Sequence, residues 1–335
     1  MQHKISPCGR NGKVHCIIEC VACRSFMEIS IGRKMIIINL MGGLGNQMYQ
    51  YATAKHLSII NDTELKIDAS SFRKLTSNNE HTFQLTSFNI SAKQASRPEI
   101  WKIIQPTNPL ARAAGNLFVR SPLKAKTSVI FKELNGSDFK PDVLELKSDR
   151  YLVGYFNSYK YFDPIRDVLA KEYTPREDLS PQGREMLKLI DSTNSVSIHI
   201  RRGDYVDTPD IYKCIDGIIT DRFYRNAVDF IASKMESPHF FVFSNDMAWV
   251  KENFRIPHQI SFVDFNSAQR GFEDLWLMSR CKHNINAGGS TFSWWAAYLN
   301  QNTNKIVVRT EQVSNDSKYN YPEDYFPQGW VAVKS

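Results

Sequence analysis

Regular patterning starts at Met35, where "MIIINLM" runs to Met41 with almost no polar interruption. A run without alternation predicts a strand covered on both faces, as in a parallel sheet. It ends in the glycine turn "GGLG". "NQMYQYATAKHLSII" follows with Met48, Tyr51, Ala52 and Leu57 at helical spacing, behind Asn46 as a helix cap. "ELKID" predicts a second strand, which makes a β-α-β opening. Residues 70–150 hold no sustained period, only short helical pieces broken by Pro106, Pro109, Pro122 and Pro141. Strand character resumes at "RYLVGYF", before a helix around "SYKYFDPIRDVLAKEY".

The second half alternates more cleanly. A helix at 181–191 leads to a strand at 195–200, and a helix at 222–235 leads to the strand "HFFVFS". "DMAWVKENF" predicts a helix before a strand near "QISFVDF". A helix at 271–281, a short strand at 283–287, a helix from Ser290 to Asn300 and the strand "KIVVRT" complete the series. Within 195–200, Ser197 to Ile200 alternates polar and apolar, the period of a half-buried strand. Alternation of strands and helices predicts an α/β protein with doubly wound parallel sheets. Two such units suggest two Rossmann-like domains, 35–175 and 176–335, facing a central cleft. Residues 1–34 stand apart as an extension expected to be dispensable.

Composition adds one asymmetry. The 335 residues are 42% hydrophobic and 23% charged, as in an ordinary globular protein. Six basic residues (Lys4, Arg10, Lys13, Arg24, Arg33, Lys34) face only Glu19 and Glu28 in the first 34, which places +4 of the chain's +7 there. The rest is nearly balanced, so general affinity for nucleic acid is not expected. Cys8, Cys16, Cys20 and Cys23 crowd the same segment, with Cys214 and Cys281 elsewhere. This is no disulfide framework and points to a reducing compartment. His15 with Cys16, Cys20 and Cys23 matches no standard zinc spacing. "VHCIIECVAC" is too short to span a membrane, and no signal-peptide cleavage pattern follows it. "ARAAGNLFVRSPLKAK" reads as a solvated basic face, with contact to a membrane surface as the weaker alternative.

Three clusters carry chemistry. "GGLGNQ" lacks the third glycine of a dinucleotide fingerprint and the Lys-Ser/Thr of a Walker loop. It leaves a glycine turn at a helix N-terminus, where backbone N–H groups of the Gly43, Gly45, Asn46 and Gln47 region can meet an anion or a sugar oxygen, or simply make a tight turn. "SIHIRRGDYV" places Arg201 and Arg202 at a strand's carboxyl end, suited to a diphosphate. By side-chain parity His199 and Arg201 share one face, and Arg202 takes the other, beside a carboxylate such as Asp204. A surface ion-pair cluster and an exposed Arg-Gly-Asp tripeptide are the alternatives. In "NINAGGSTFSWWAAYLN", Ser290 caps a helix whose Thr291 and Ser293 hydroxyls add to an anion cradle. Trp294 and Trp295 are expected in the core rather than stacked on sugar.

"GGLGNQMYQYA", "SIHIRRGDYV", "FVFSNDMAWVKENF" and "CKHNINAGGSTFSWWAAYLN" resemble, in order, the motifs of the bacterial α-1,2-fucosyltransferases of glycosyltransferase family 11. The resemblance spans Met35 to the C-terminus. It implies a GT-B fold, GDP-fucose as donor, a β-galactoside glycan as acceptor, inversion at the anomeric carbon, and no cofactor or metal. The chain holds no Asp-x-Asp pair, which agrees. By position, His199 and Asp274 would contact guanine, with Asp274 accepting from its N1–H and N2–H₂. Arg201 would grip the β-phosphate and act as the catalytic group, with Ser290, Thr291 and Ser293 on the diphosphate. The loop from Gly43 through Gly45 and Asn46 to Gln47 would approach from the other domain, while Arg202 and Asp204 give structural support. A cytoplasmic enzyme is implied, with peripheral contact at the inner membrane face through a lipid-linked acceptor. No general base is assigned: Asp204, Asp207 and Asp210 are near, and none stands out. A fucosyltransferase of other linkage or another GDP-sugar enzyme is the first alternative, and an oxidoreductase of NAD type and a non-catalytic glycan-binding module are the further competing classes.

Overall fold

A computed structural model describes residues 34–73, 82–104, 130–133, 138–202, 213, 216, 218–286 and 288–335. Lys34–Ser335 make one compact unit. In its first half β1 (Met35–Asn39) leads through the glycine turn into α1 (Leu44–Ile60), then β2 (Glu64–Asp68). β3 (Lys93–Gln94), α2 (Arg97–Ile104), β4 (Ile130–Lys132) and β5 (Arg150–Val153) follow. Two 3₁₀ turns and α3 (Arg166–Glu172) then occupy the stretch read as one helix, because Pro164 removes a backbone donor inside it. The five strands are parallel in the order β3-β2-β1-β5-β4.

α4 (Pro181–Ser192) opens the second half, with Ser180 accepting from Gly183 N–H and Pro181 in the first turn. β6 (Asn194–Ile200), α5 (Asp221–Ala232), β7 (Pro238–Ser244), α6 (Met247–Asn253) and β8 (Gln259–Val263) come next. They are followed by α7 (Gly271–Arg280), β9 (His283–Asn286), α8 (Thr291–Leu299), β10 (Val307–Thr310), α9 (Pro322–Tyr325) and β11 (Val331–Val333). Six parallel strands take the order β11-β10-β9-β6-β7-β8. The protein is thus α/β with two parallel-sheet halves, each covered by its crossover helices.

Two local expectations change. The first helix begins at Leu44, two residues before Asn46, and its N-cap is Gly43 in extended conformation with no side-chain cap. The turn is instead closed by Gly42, whose φ of +74° puts it in the left-handed region that favours glycine. Secondly, β6 is buried on both faces, not half-buried: Ser195, Ser197 and His199 are all inside. It is a central strand, and its polar positions are satisfied by protein. Ser195 accepts from Lys282 N–H, Ser197 from the Asn284 amide, and His199 lies on Ser290.

One hydrophobic core serves both sheets. Tyr49 of α1 meets Trp294 and Trp295 of α8 with ring centroids 4.7 and 5.1 Å away, and Phe162 stacks on Trp295 at 5.1 Å. Both tryptophans are fully buried and donate to carbonyls, Trp294 to Tyr325 and Trp295 to Gly45. They are core, as their apolar surroundings predict. Each such side chain removes area worth roughly 4–6 kcal/mol of transfer free energy.

Candidate functional site

The two glycine loops share one backbone design. Each follows a parallel strand, places a glycine at positive φ (Gly42 at +74°, Gly289 at +75°), then an extended N-cap, then a helix. The helices they launch touch at their first turns. A Cβ on Gly45 would stand 2.6 Å from the carbonyl carbon of Thr291 and 2.8 Å from the amide nitrogen of Phe292. Only a residue without a side chain lets α1 and α8 approach this closely.

Phe292 marks the point where a third helix arrives. Its ring lies 5.3 Å from the His199 imidazole, and a Cβ on Gly271, at the start of α7, would be 3.9 Å from its edge. The N-termini of α1, α7 and α8 therefore converge beside the carboxyl end of β6. Neither α1 nor α8 carries an acidic residue in its first turn. Their first backbone N–H groups have no intrahelical acceptor, and their dipoles put partial positive charge there. At the opposite end of α8, Lys305 Nζ donates to Ala297 and Asn300 carbonyls and Arg166 to that of Tyr298. Burial pushes the Lys305 ammonium down to about 7.

α7 differs, with Glu273 and Asp274 in its first turn. Glu273 is fully buried, and its charge is used inside the protein by Arg270 at 2.6 Å and by Ser180 N–H and Oγ–H. Asp274 accepts from the Asn266 amide at 2.6 Å. Burial pushes its carboxyl up to about 6, with Glu273 adding to the rise and the Asn266 hydrogen bond opposing it. Two helix termini without acidic first turns and one carboxylate suit a ligand that is anionic at one end and rich in N–H donors at the other.

Not every residue expected at the site faces it. Gln47 is fully buried and fully engaged: its amide N–H groups go to Gly42 and Thr82 carbonyls, and its oxygen accepts from Gln84 and Leu85 N–H. It braces the 82–85 segment against the glycine turn and has no capacity left for a donor molecule. Ser293 points inward as well, held by Asn286 Oδ1 at 3.0 Å, because one helical turn carries it to the same side as Ser290. Ser290 Oγ lies 3.2 Å from His199 Nδ1 and caps the helix by accepting from Ser293 N–H. Of the three hydroxyls only Thr291 is not buried. Asn46 folds back toward Gly42.

β6 ends at Ile200, so both arginines follow the strand. Arg202 pairs with Asp246 at 3.4 Å, lies 3.6 Å over the Trp249 ring, and donates its backbone N–H to Asn245. The carboxylate beside it is Asp246. Asp204, Asp207, Asp210, the segment 111–126 and the cysteine-rich start lie outside the described residues. Phe292, Asn266 and Asp246 carry no site signal in the sequence, because only tertiary packing brings them to His199, Asp274 and Arg202.

Parallel sheets whose carboxyl ends present converging helix termini define the nucleotide- or phosphate-holding class of α/β proteins. The family model "Glycosyl transferase family 11" matches residues 8–334, and the chain belongs to that family. The match begins within the segment expected to lie outside the domain. Alpha-1,2-colitosyltransferase of Escherichia coli is 31% identical over 310 residues, covering 90% of this chain and 99% of that protein. O-antigen biosynthesis glycosyltransferase WbnK, also of Escherichia coli, is 31% identical over 290 residues, 80% of this chain and 91% of its own length. Galactoside alpha-(1,2)-fucosyltransferase 2 of Hylobates lar is 28% identical over 310 residues, 90% and 80% of the two chains. This protein is a glycosyltransferase.

Proposed function

We propose that the enzyme moves L-fucose from GDP-fucose to the 2-hydroxyl of a terminal β-galactoside, with inversion, for a surface glycan such as O-antigen. The observation that carries this reading is the meeting of α1 and α8, two helix N-termini without acidic first turns, beside His199. A diphosphate fits there, with Arg201 on the β-phosphate and Thr291 and the α8 amides on its oxygens. Asp274 takes the N–H edge of guanine, with His199 beside it. The glycine turn at Gly43 approaches the sugar from the first half, with Gly45 packed behind it on α8. As the bond from C1 to the β-phosphate breaks, negative charge grows on that phosphate, and preorganised donors stabilise it. The acceptor is presented on a lipid-linked glycan. Among the described residues no helix is long and apolar enough to cross a membrane.

Incubation with GDP-fucose and lactose, with chromatography for 2′-fucosyllactose, tests the reading. No product, with GDP-fucose intact, removes it. A second reading rests on the 31% identity to the colitosyltransferase. Colitose is fucose without its 3-hydroxyl, so GDP-colitose is the donor to run in parallel. Preferential transfer of colitose would replace fucose in this assignment while keeping the linkage.

Two further outcomes are expected. The chain has no Asp-x-Asp pair, so activity should survive EDTA; loss in EDTA with recovery in Mn²⁺ would overturn the metal-independent mechanism. Asp274 must be ionised to accept two guanine N–H groups, and its carboxyl titrates near 6. The KM for GDP-fucose should therefore be flat above neutrality and rise as pH falls through about 6. GDP-fucose itself has no group titrating there. Asp274→Asn should remove that dependence and raise KM about tenfold, the scale of a buried hydrogen-bonding mismatch of about 1–3 kcal/mol. An unaltered KM would take Asp274 out of the site.

A further inference from the structure

The reaction proposed above needs a group to take the proton of the attacking hydroxyl, and the fold presents a carboxylate no role so far explains. Glu133 follows β4 directly, its backbone N–H bonded to Val153 O at 2.8 Å. It thus stands at the carboxyl edge of the first sheet, the edge from which the glycine turn rises after β1. β5 lies between β4 and β1 in the sheet. At about 4.8 Å per strand, Glu133 and the glycine turn are roughly 10 Å apart across that edge, a span one sugar ring can bridge.

The surroundings of Glu133 are built for one oxygen only. Oε2 accepts from Phe156 N–H. Phe156, whose N–H meets the carboxylate, adopts φ +54°, a left-handed conformation unfavourable for a bulky residue. Gly154 makes the room: a Cβ there would stand 2.6 Å from the Glu133 Cβ and 3.0 Å from Oε2. Oε1 is buried and, among the described residues, meets no partner. A buried carboxylate oxygen left unpaired is costly, so its retention asks for a reason.

Resting on the fucosyl-transfer reading, we propose that Glu133 is the general base, with Oε1 receiving the proton of the acceptor's 2-hydroxyl. The hydroxyl oxygen forms the bond to C1 of fucose as its proton passes to Oε1. The bond from C1 to the β-phosphate oxygen breaks, and its electron pair leaves on GDP. Glu133 then releases the proton to solvent. Burial pushes this carboxyl up to about 7, against the backbone hydrogen bonds of Phe156 and Tyr155 and the charge of Lys140, while Asp138 adds to the rise. Among the described residues Tyr161 also faces it, and its own hydroxyl is held neutral by burial and by Glu133. A base titrating near neutrality combines an available lone pair with driving force for transfer.

The test is kcat at saturating donor and acceptor from pH 5.5 to 9, for the wild type and Glu133→Gln. The glutamine oxygen can still accept from Phe156 N–H, so the 154–158 turn should hold. Wild-type kcat should rise with pH through about 7 to a plateau, the sign for a base that must be deprotonated. Glu133→Gln should lower kcat by about 10²–10⁴ and flatten that limb. Its donor KM and melting temperature should stay close to the wild type. A carboxylate that only pins the turn predicts the reverse: kcat kept within a few-fold and the limb intact, which would overturn the proposal. Should the variant unfold, the wild-type profile still decides, since a flat kcat from pH 6 to 9 overturns it alone. Wild-type enzyme making no fucosylated lactose sinks the underlying reading; product from the wild type with an unaffected variant sinks only Glu133.

Discussion

Arg201→Lys is expected to lower kcat by a factor of about 10²–10³ with a much smaller change in donor KM, the scale of losing one preorganised oxyanion donor. The reasoning starts from geometry at the end of β6. Arg201 leaves the strand two residues after His199, whose imidazole is fixed on Ser290 and Phe292 at the convergence of helix termini. A guanidinium offers a planar fork that can hold two phosphate oxygens, and an ammonium offers a single point of charge. The contact strengthens as charge moves onto the β-phosphate, so its loss falls on kcat. Arg202→Lys is the internal control. That side chain is committed to Asp246 and the Trp249 face, so the variant should melt a few degrees lower while kcat of the folded fraction stays within a few-fold. Steady-state kinetics and thermal melts on the two variants check both statements. Exchange of the two phenotypes would place Arg202, not Arg201, on the phosphate.

Gly45→Ala should damage stability and rate together. The added carbon would meet Thr291 and Phe292 backbone at 2.6 and 2.8 Å, and Thr291 Oγ1 at 2.5 Å. Backbone at a helix start cannot rotate away as a side-chain tip can, so α1 and α8 must separate. Overpacking of this kind costs about 1–3 kcal/mol or more. A displacement near 1 Å between groups that align a reaction can cost about 10²-fold in rate. The expected result is a lowered melting temperature together with a loss of kcat/KM on that scale. Gly271→Ala serves as its control: the start of α7 has no atom closer than 3.9 Å to the added carbon, so both properties should hold. Equal behaviour of the two variants would show that the α1–α8 approach is not tight in solution.

The fold was legible where the chain is long and periodic. From α4 to β10 the elements fall within three residues of expectation, because continuous apolar strands and capped helices leave few alternatives. The first half read poorly beyond Asp68. β3 and β4 are two and three residues long, too short for any period, and Glu133 comes directly after the second of these. At the site, the residue types were found but not their directions. Gln47 and Ser293 have the chemistry of ligand contacts, yet tertiary packing turns them onto backbone and onto Asn286. The paired arginines could be told apart by parity alone only as far as the strand continues. What separates Arg202 is Asp246, forty-four residues on, which no local pattern announces. The buried state of β6 was missed for a similar reason: its serines alternate as if toward water, and their partners Lys282 and Asn284 belong to another strand's approach.

The aromatic cluster between α1 and α8 bears on how such an enzyme can be rearranged. Tyr49, Phe162 and Tyr173 come from the first half of the chain, while Trp294, Trp295, Tyr298 and Tyr325 come from the second, and all are buried together. The join at residue 175 is therefore no modular boundary. A chimera that exchanges acceptor specificity by grafting one half onto a relative's other half would set two tryptophans against rings shaped for a different partner. Recombination between relatives should succeed only when α1 and α8 travel together, carrying the glycine contact and the aromatic seam as one inherited block.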